Sequence, residues 1–147
     1  MTKRIGFTGS RYGLTASQQV ELEDWLVNEY VGSAELEAHH GCCVGADTDF
    51  AHQLADCFPS VRIIGHPSTL TNLTSEYAVS CCHEKAPAKQ PLDRNHDIVD
   101  ACDVLLACPA TMEEELRSGT WATIRYARKV GKEVVMFYPR PEEPPHE

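Results

Sequence analysis

Two strand–turn–helix junctions at opposite ends of the chain constrain its fold more than any other feature. Near the start, the apolar run Ile5-Gly6-Phe7-Thr8 leads into Gly9-Ser10-Arg11. Near the end, Val104-Leu105-Leu106-Ala107 reads as a buried strand, and after a loop Arg117-Ser118-Gly119-Thr120 opens a helix. In a parallel sheet both junctions fall at the carboxyl edge of the strands, where free backbone N–H groups and helix N-termini attract anions. Phosphate is the usual anion at such an edge, so the two turns predict a nucleotide- or phosphosugar-binding domain.

The rest of the chain alternates in the same way. Residues 4–8 form the first predicted strand. Thr15-x-x-Gln18 carries a capping-box pattern, and the helix after it presents Leu22, Trp25, Leu26 and Tyr30 on one face. A second strand over 35–39 runs into His40-Gly41-Cys42-Cys43-Val44-Gly45-Ala46-Asp47, and a helix over 47–57 is expected to bury Phe50, Ala51, Leu54 and Ala55. A third strand follows over 61–65. The stretch 66–91 is too long for a structureless loop in a small domain, so a short strand or lid is expected within it. Then come a helix over 93–101 with Ile98 and Val99 inward, a strand over 103–108, and a helix over 119–130 with Ile124, Ala127 and Val130 inward. Gly131 suits the residue just past that helix, and the last strand spans 133–138. This β-α alternation predicts an α/β fold: a doubly wound, mainly parallel sheet with helices on both faces, in one domain over 1–139. The proline- and glutamate-rich residues 140–147 read as a disordered acidic tail.

With 147 residues the chain can bury a core without staples. No signal stretch opens it and no apolar run reaches membrane-spanning length, so a soluble cytoplasmic protein with no membrane partner is expected. Seven cysteines include the adjacent pairs Cys42-Cys43 and Cys81-Cys82, which suit neither a disulfide framework nor the CxxC spacing of zinc sites. Reduced thiols follow from that reading. The formal net charge of −9 disfavours a surface built to hold nucleic acid, though one or two arginines at a turn suffice for a small anion.

Four motifs in order and spacing, Gly9-Ser10-Arg11, His40-Gly41-Cys42-Cys43-Val44-Gly45-Ala46-Asp47, Arg94-Asn95-x-x-Ile98 and Ser118-Gly119-Thr120, resemble the SLOG superfamily. That superfamily joins the DNA-processing protein A (Smf) family with the Lonely Guy phosphoribohydrolases. The resemblance covers nearly the whole chain and implies a Rossmann-like fold that binds nucleotides, nucleotide-derived signals or nucleic-acid phosphates. It lies nearer the DNA-processing side, without that group's extra domains. The phosphoribohydrolases carry Pro-Gly-Gly-x-Gly-Thr and a catalytic glutamate three residues beyond the threonine; here Glu115-Leu116-Arg117-Ser118-Gly119-Thr120 lacks the first two glycines and Thr123 stands at the glutamate position.

Gly9 is expected to turn the chain with positive φ and let it approach a phosphate, with Ser10 and Arg11 supplying a hydroxyl and a charge. Ser118, Gly119 and Thr120 would form a phosphate nest, against the plainer alternative of a serine N-cap. Gly45 shapes the central turn, and Asp47 either accepts a ribose hydroxyl or serves only as an acidic residue in a helix first turn. Arg94 and Asn95, placed just ahead of a helix, either reach a ligand or act as a surface arginine beside a cap. Trp121 is weighed between base stacking and packing. Asp47 and the run Glu113, Glu114 and Glu115 are the carboxylates open to acid–base work. Arg125 and Arg128 are read as exposed, without a specific role. Neither a metal site among His39, His40, Cys42, Cys43 and His83 nor a cysteine nucleophile is expected.

The first functional expectation is a sensor or sequestering protein for a nucleotide or nucleotide-derived phosphorylated small molecule, with no cofactor. An enzyme hydrolysing the N-glycosidic bond of a nucleoside 5′-monophosphate is the second, and single-stranded DNA binding the third. The resemblance further implies a homodimer or higher homo-oligomer.

Overall fold

A computed structural model describes residues 2–32 and 35–140. The expected acidic tail therefore lies outside the described residues, apart from Arg140. Six strands, β1 (Thr2–Gly9), β2 (Glu35–His40), β3 (Arg62–Gly65), β4 (Glu84–Lys85), β5 (Val104–Cys108) and β6 (Glu133–Met136), form one parallel sheet in the order β4-β3-β2-β1-β5-β6. Five α-helices connect them: α1 (Ala16–Gly32), α2 (Ala46–Cys57), α3 (Glu76–Ser80), α4 (Pro91–Ala101) and α5 (Gly119–Lys129). The described residues thus make a single Rossmann-like α/β domain, doubly wound. No helix among them is long and apolar enough to cross a membrane.

Strand alternation distributes the core over two faces. Ile5, Phe7, Val104 and Leu106 pack with Leu22 and Leu26 of α1 and Phe50 and Leu54 of α2. Leu105 and Ala107 turn the other way, onto Ile98 and Val99 of α4 and Trp121, Ile124 and Ala127 of α5. Phe7 and Phe50 stack with ring centroids 4.3 Å apart, which sets the distance between α2 and the central strand. Two inward assignments do not hold: Ala55 is exposed because α2 turns it away from the sheet, and Val130, 44 % exposed, lies just past the end of α5.

The segment 66–91 does hold a short strand, β4, together with α3 and a 3₁₀ turn at Thr71–Leu73. The capping box at α1 forms in both directions: Thr15 N–H donates to Gln18 Oε1 (3.0 Å) and Gln18 N–H donates to Thr15 Oγ1 (3.2 Å). Gln18 does more than cap. Its buried Nε2 donates to the carbonyls of Pro109 and Phe137, both at 2.8 Å, and so ties the start of α1 to the ends of β5 and β6. Gln18→Leu leaves the Thr15 amide and two carbonyls without this partner. It should lower stability by about 2–4 kcal/mol, since each orphaned buried group costs about 1–3 kcal/mol. Urea denaturation measures this, and a loss under about 1 kcal/mol contradicts it.

Candidate functional site

The chain runs outward from β1 through β2, β3 and β4 on one side, then returns to lay β5 and β6 on the other. Strand order therefore reverses between β1 and β5, and the loops leaving their carboxyl ends must diverge. A crevice at that point is a property of the topology. It is occupied here by a cleft of about 730 Å³, lined by residues 7–12, the turn 41–47, the start of α4, and residues 115–120.

Ser10 organises the first wall. Its N–H donates to Cys108 O (3.3 Å), its Oγ accepts from Tyr12 N–H (3.0 Å), and its carbonyl accepts from Gly13 N–H (3.2 Å) and Ala46 N–H (2.8 Å). The loop after β1 is thereby bound to β5 and to the first residue of α2. Gly45, at φ 84°, permits that approach: a Cβ there would stand 2.3 Å from the carbonyl group of Arg11. Gly45 does not itself line the cleft. Gly9 corrects the sequence expectation, since it has no positive φ and ends the strand in extended form. What it provides is room, because a Cβ would meet that of Ala46 at 2.5 Å.

The opposite wall is the N-terminus of α5. Ser118 caps it, with Oγ accepting from Trp121 N–H (3.1 Å). The amides of Gly119 and Thr120 have no acceptor among the described residues and belong to the cleft lining. Trp121 itself is a packing residue, 4 % exposed, with Nε1 donating to Thr111 Oγ1 (3.1 Å), so base stacking by it is ruled out. Arg125 is not idle: it pairs with Glu114 (2.7 Å) and donates to Leu116 O (3.3 Å), steadying the loop ahead of the helix.

At the back of the cleft, Asp47 Oδ2 accepts from Cys43 N–H (3.0 Å), folding the 43–47 turn upon itself. Arg94 and Asn95 lie within the first turns of α4, which begins at Pro91, rather than ahead of the helix. The Arg94 guanidinium is buried and fully directed. Nη1 donates to Gly41 O (2.6 Å) and His66 O (3.0 Å), Nη2 to Cys43 Sγ (3.1 Å) and Nε to Asn95 Oδ1 (2.6 Å). It holds the ends of β2 and β3 at a fixed spacing, and its remaining Nη2 hydrogen is what it can offer a ligand. Burial, with Asp47 nearby, pushes the Cys43 thiol up to about 11, so this cleft-lining sulfur stays protonated near neutrality.

The charges at the cleft surface come from elsewhere. Arg11 and Arg117 are exposed, line the cleft, and have no carboxylate partner among the described residues. Arg11 contacts only the Tyr12 hydroxyl, at 3.3 Å, and lies over the Tyr12 ring. Arg117 was absent from the expected binders, although it directly precedes the Ser-Gly-Thr turn. The large exposed apolar residues of the lining are Tyr12, Val44, Leu92 and Leu116, with Leu116 at 85 %. Of the acidic residues, Asp47 and Glu115 line the cleft, while Glu113 and Glu114 do not. Thr123 is 2 % exposed, its hydroxyl donating to Gly119 O (2.8 Å), and it stands outside the lining.

Behind the cleft runs a buried histidine chain. Glu37 Oε2 accepts from His39 Nε2 (3.0 Å), so the His39 Nδ1 lone pair faces His66 Nε2 (2.8 Å), which must carry the proton. His66 Nδ1 then has no partner. Among the described residues no three His, Cys, Asp or Glu side chains converge as a metal-ligand set.

No protein-family model and no curated protein matches this chain. Solved structures do. The molybdenum cofactor binding protein from the phototrophic bacterium Rippkaea orientalis superposes with a TM-score of 0.68 at 18 % identity, over 95 % of this chain and 78 % of that one. TM1055, a structural genomics target, gives a TM-score of 0.59 at 16 % identity, over 90 % of this chain and 72 % of its own. At such identity the likeness is one of fold.

Burial, and the nearby His39, lower the His66 pKa from 6.5 to about 4, since protonation would bury an unpartnered N–H. The unfolded chain therefore binds more protons than the folded one between pH 4 and 6.5, and stability falls as pH falls through that window. The His66 contribution amounts to about 3 kcal/mol across it. Histidine-selective NMR should find His66 neutral at pH 5.5; titration near 6.5 contradicts the assignment.

Proposed function

We propose that the protein binds a nucleotide or a nucleotide-derived phosphorylated small molecule in the cleft between β1 and β5, as a sensor or sequestering protein. The observation that carries this reading is the pairing of two carboxylate-free guanidinium groups, Arg11 and Arg117, with the open amides of Gly119 and Thr120 around one cleft. Such a set suits the oxygens of one phosphate, with guanidinium groups giving planar charge-assisted bonds and the helix N-terminus fixed dipoles. Arg11 and Thr120 belong to the binders expected from sequence; Arg117 joins them, and Ser118 and Ser10 act by shaping the turns. The four apolar side chains give a ring system a surface to lie on. The volume, about 730 Å³, matches a small molecule rather than a polymer track. A structural neighbour that binds the molybdenum cofactor supports small-molecule binding on this fold, as does the SLOG resemblance.

Phosphoribohydrolase activity is the second reading, favoured by the two carboxylates in the lining, Asp47 and Glu115. Against it stands Thr123, buried and self-bonded where the resemblance requires a catalytic glutamate. The distinguishing experiment incubates the protein with a nucleotide panel and reads bound and free fractions by mass spectrometry. Retention of one intact nucleotide is expected, whereas release of a free base with ribose 5-phosphate establishes the enzyme instead. For whichever phosphorylated compound is retained, Arg11→Ala and Arg117→Ala should each weaken binding by about 1.5–3 kcal/mol, the scale of a charge-assisted bond. Titration calorimetry measures the loss; unchanged affinity in both variants removes the arginines from the site.

A further inference from the structure

Cys42, in the turn after β2, and Cys82, just beyond α3, bring their Sγ atoms to 3.8 Å although 40 residues separate them. No other two sulfurs among the described residues lie in contact. Both thiols are seated against Gly65, the last residue of β3: a Cβ there would fall 2.6 Å from Cys82 Sγ and 2.7 Å from Cys42 Sγ. The space for the pair therefore exists because that position has no side chain. Cys42 also holds φ 58°, a left-handed conformation that few residues other than glycine adopt. None of this is needed for ligand binding in the cleft.

We propose that Cys42 and Cys82 are a redox modification site, closing to a reversible disulfide when the protein meets a hydroperoxide. The two differ in access: Cys42 is fully buried, while Cys82 is partly exposed. Cys82 is therefore the sulfur that a peroxide reaches. Its thiolate attacks one peroxide oxygen, an S–O bond forms as the O–O bond breaks, and the departing oxygen leaves as an alcohol or water after taking a proton. Cys42 sulfur then attacks the sulfenic sulfur of Cys82, the S–S bond forms, and the hydroxide released departs as water with the Cys42 proton. Two thiols lose two electrons and two protons, and the hydroperoxide is reduced to alcohol and water. A thiol reductant reverses the step.

The hydrogen bond between the thiols supports this division of roles. It lowers the Cys82 pKa, and it raises that of Cys42 together with burial; Cys82 Sγ lies in donor position to Ala78 O (3.2 Å), which leaves the Cys42 S–H to bridge the two sulfurs. The sulfurs must approach by roughly 1.8 Å to reach a bond length of about 2 Å, a movement within reach of side-chain rotation and a small shift of the loop after α3.

The site is coupled to the cleft through backbone. Ser75 N–H donates to Cys42 O (2.9 Å) and Val44 N–H donates to Leu73 O (2.9 Å). Gly41, Cys43, Val44 and Leu73 all line the cleft. A Cys42–Cys82 bond fastens the segment carrying α3 to the turn that forms the cleft wall.

The test uses the full chain with its seven thiols reduced. It is treated with hydrogen peroxide, quenched with N-ethylmaleimide in denaturant so that buried thiols react too, digested without reductant and mapped by mass spectrometry. The expected product is a cross-linked peptide pair joining Cys42 to Cys82, with those two thiols protected from alkylation and both recovered after dithiothreitol. Cys82→Ser should abolish the protection of Cys42. The proposal is overturned if both thiols stay alkylatable, if the cross-links join other cysteines, or if Cys82 passes to sulfinic acid with Cys42 still free. Nucleotide retention is measured separately on reduced protein, so failure here leaves the cleft reading untouched.

Discussion

The buried guanidinium of Arg94 is the contact on which the carboxyl edge of the sheet depends. Parallel strands end with carbonyl groups pointing toward the same side, and their loops must diverge to reach helices on opposite faces. Arg94 reaches from α4 across that divergence and donates one nitrogen to both Gly41 O and His66 O. Its charge is met by dipoles and by the nearby Asp47 rather than by a directly bonded carboxylate; both groups crowd the space above Gly41, where a Cβ would stand 2.6 Å from Arg94 Nη1 and 3.1 Å from Asp47 Oδ2. A buried charge hydrogen-bonded to carbonyls and a sulfur, with Asp47 close by, makes a rigid edge, since any displacement leaves that charge less well solvated.

That arrangement explains how an acidic chain presents a basic cleft. The chain carries a formal net charge of −9, whereas Arg11, Arg94 and Arg117 converge on one concave region. Low-dielectric walls concentrate the field of these groups within the cleft.

Much of the fold was legible because its signals are local. The capping pair Thr15 and Gln18 sit three residues apart and form as read, and each strand is a short apolar run between turn residues. The misreadings have a common cause in tertiary contact. Gly9 was assigned a turn conformation from its residue type, but its role is set by Ala46, which approaches from another element. Arg94 stays open between a ligand contact and a surface position in the sequence, because nothing near it foretells the carbonyls 53 and 28 residues earlier. Trp121 next to the Ser-Gly-Thr turn offered two faces, and only the sheet decides which is buried. Arg117 had a usable signal, a cation abutting a helix N-terminus, where its charge opposes the helix dipole unless an anion shares the place.

The placement of β1 carries a consequence for the birth of the molecule. Among the described strands β1 is the first to be synthesised, yet it becomes interior to the sheet, with β2 on one side and β5, nearly a hundred residues later, on the other. During translation β2 arrives soon, but the opposite edge of β1 stays bare until β5 emerges, with Gly6 and Phe7 exposing backbone that will later face Leu105 and Leu106. A nascent chain in that interval carries a template for unwanted strand addition. The cleft, lying across that same seam, cannot close before residues 115–120 have emerged.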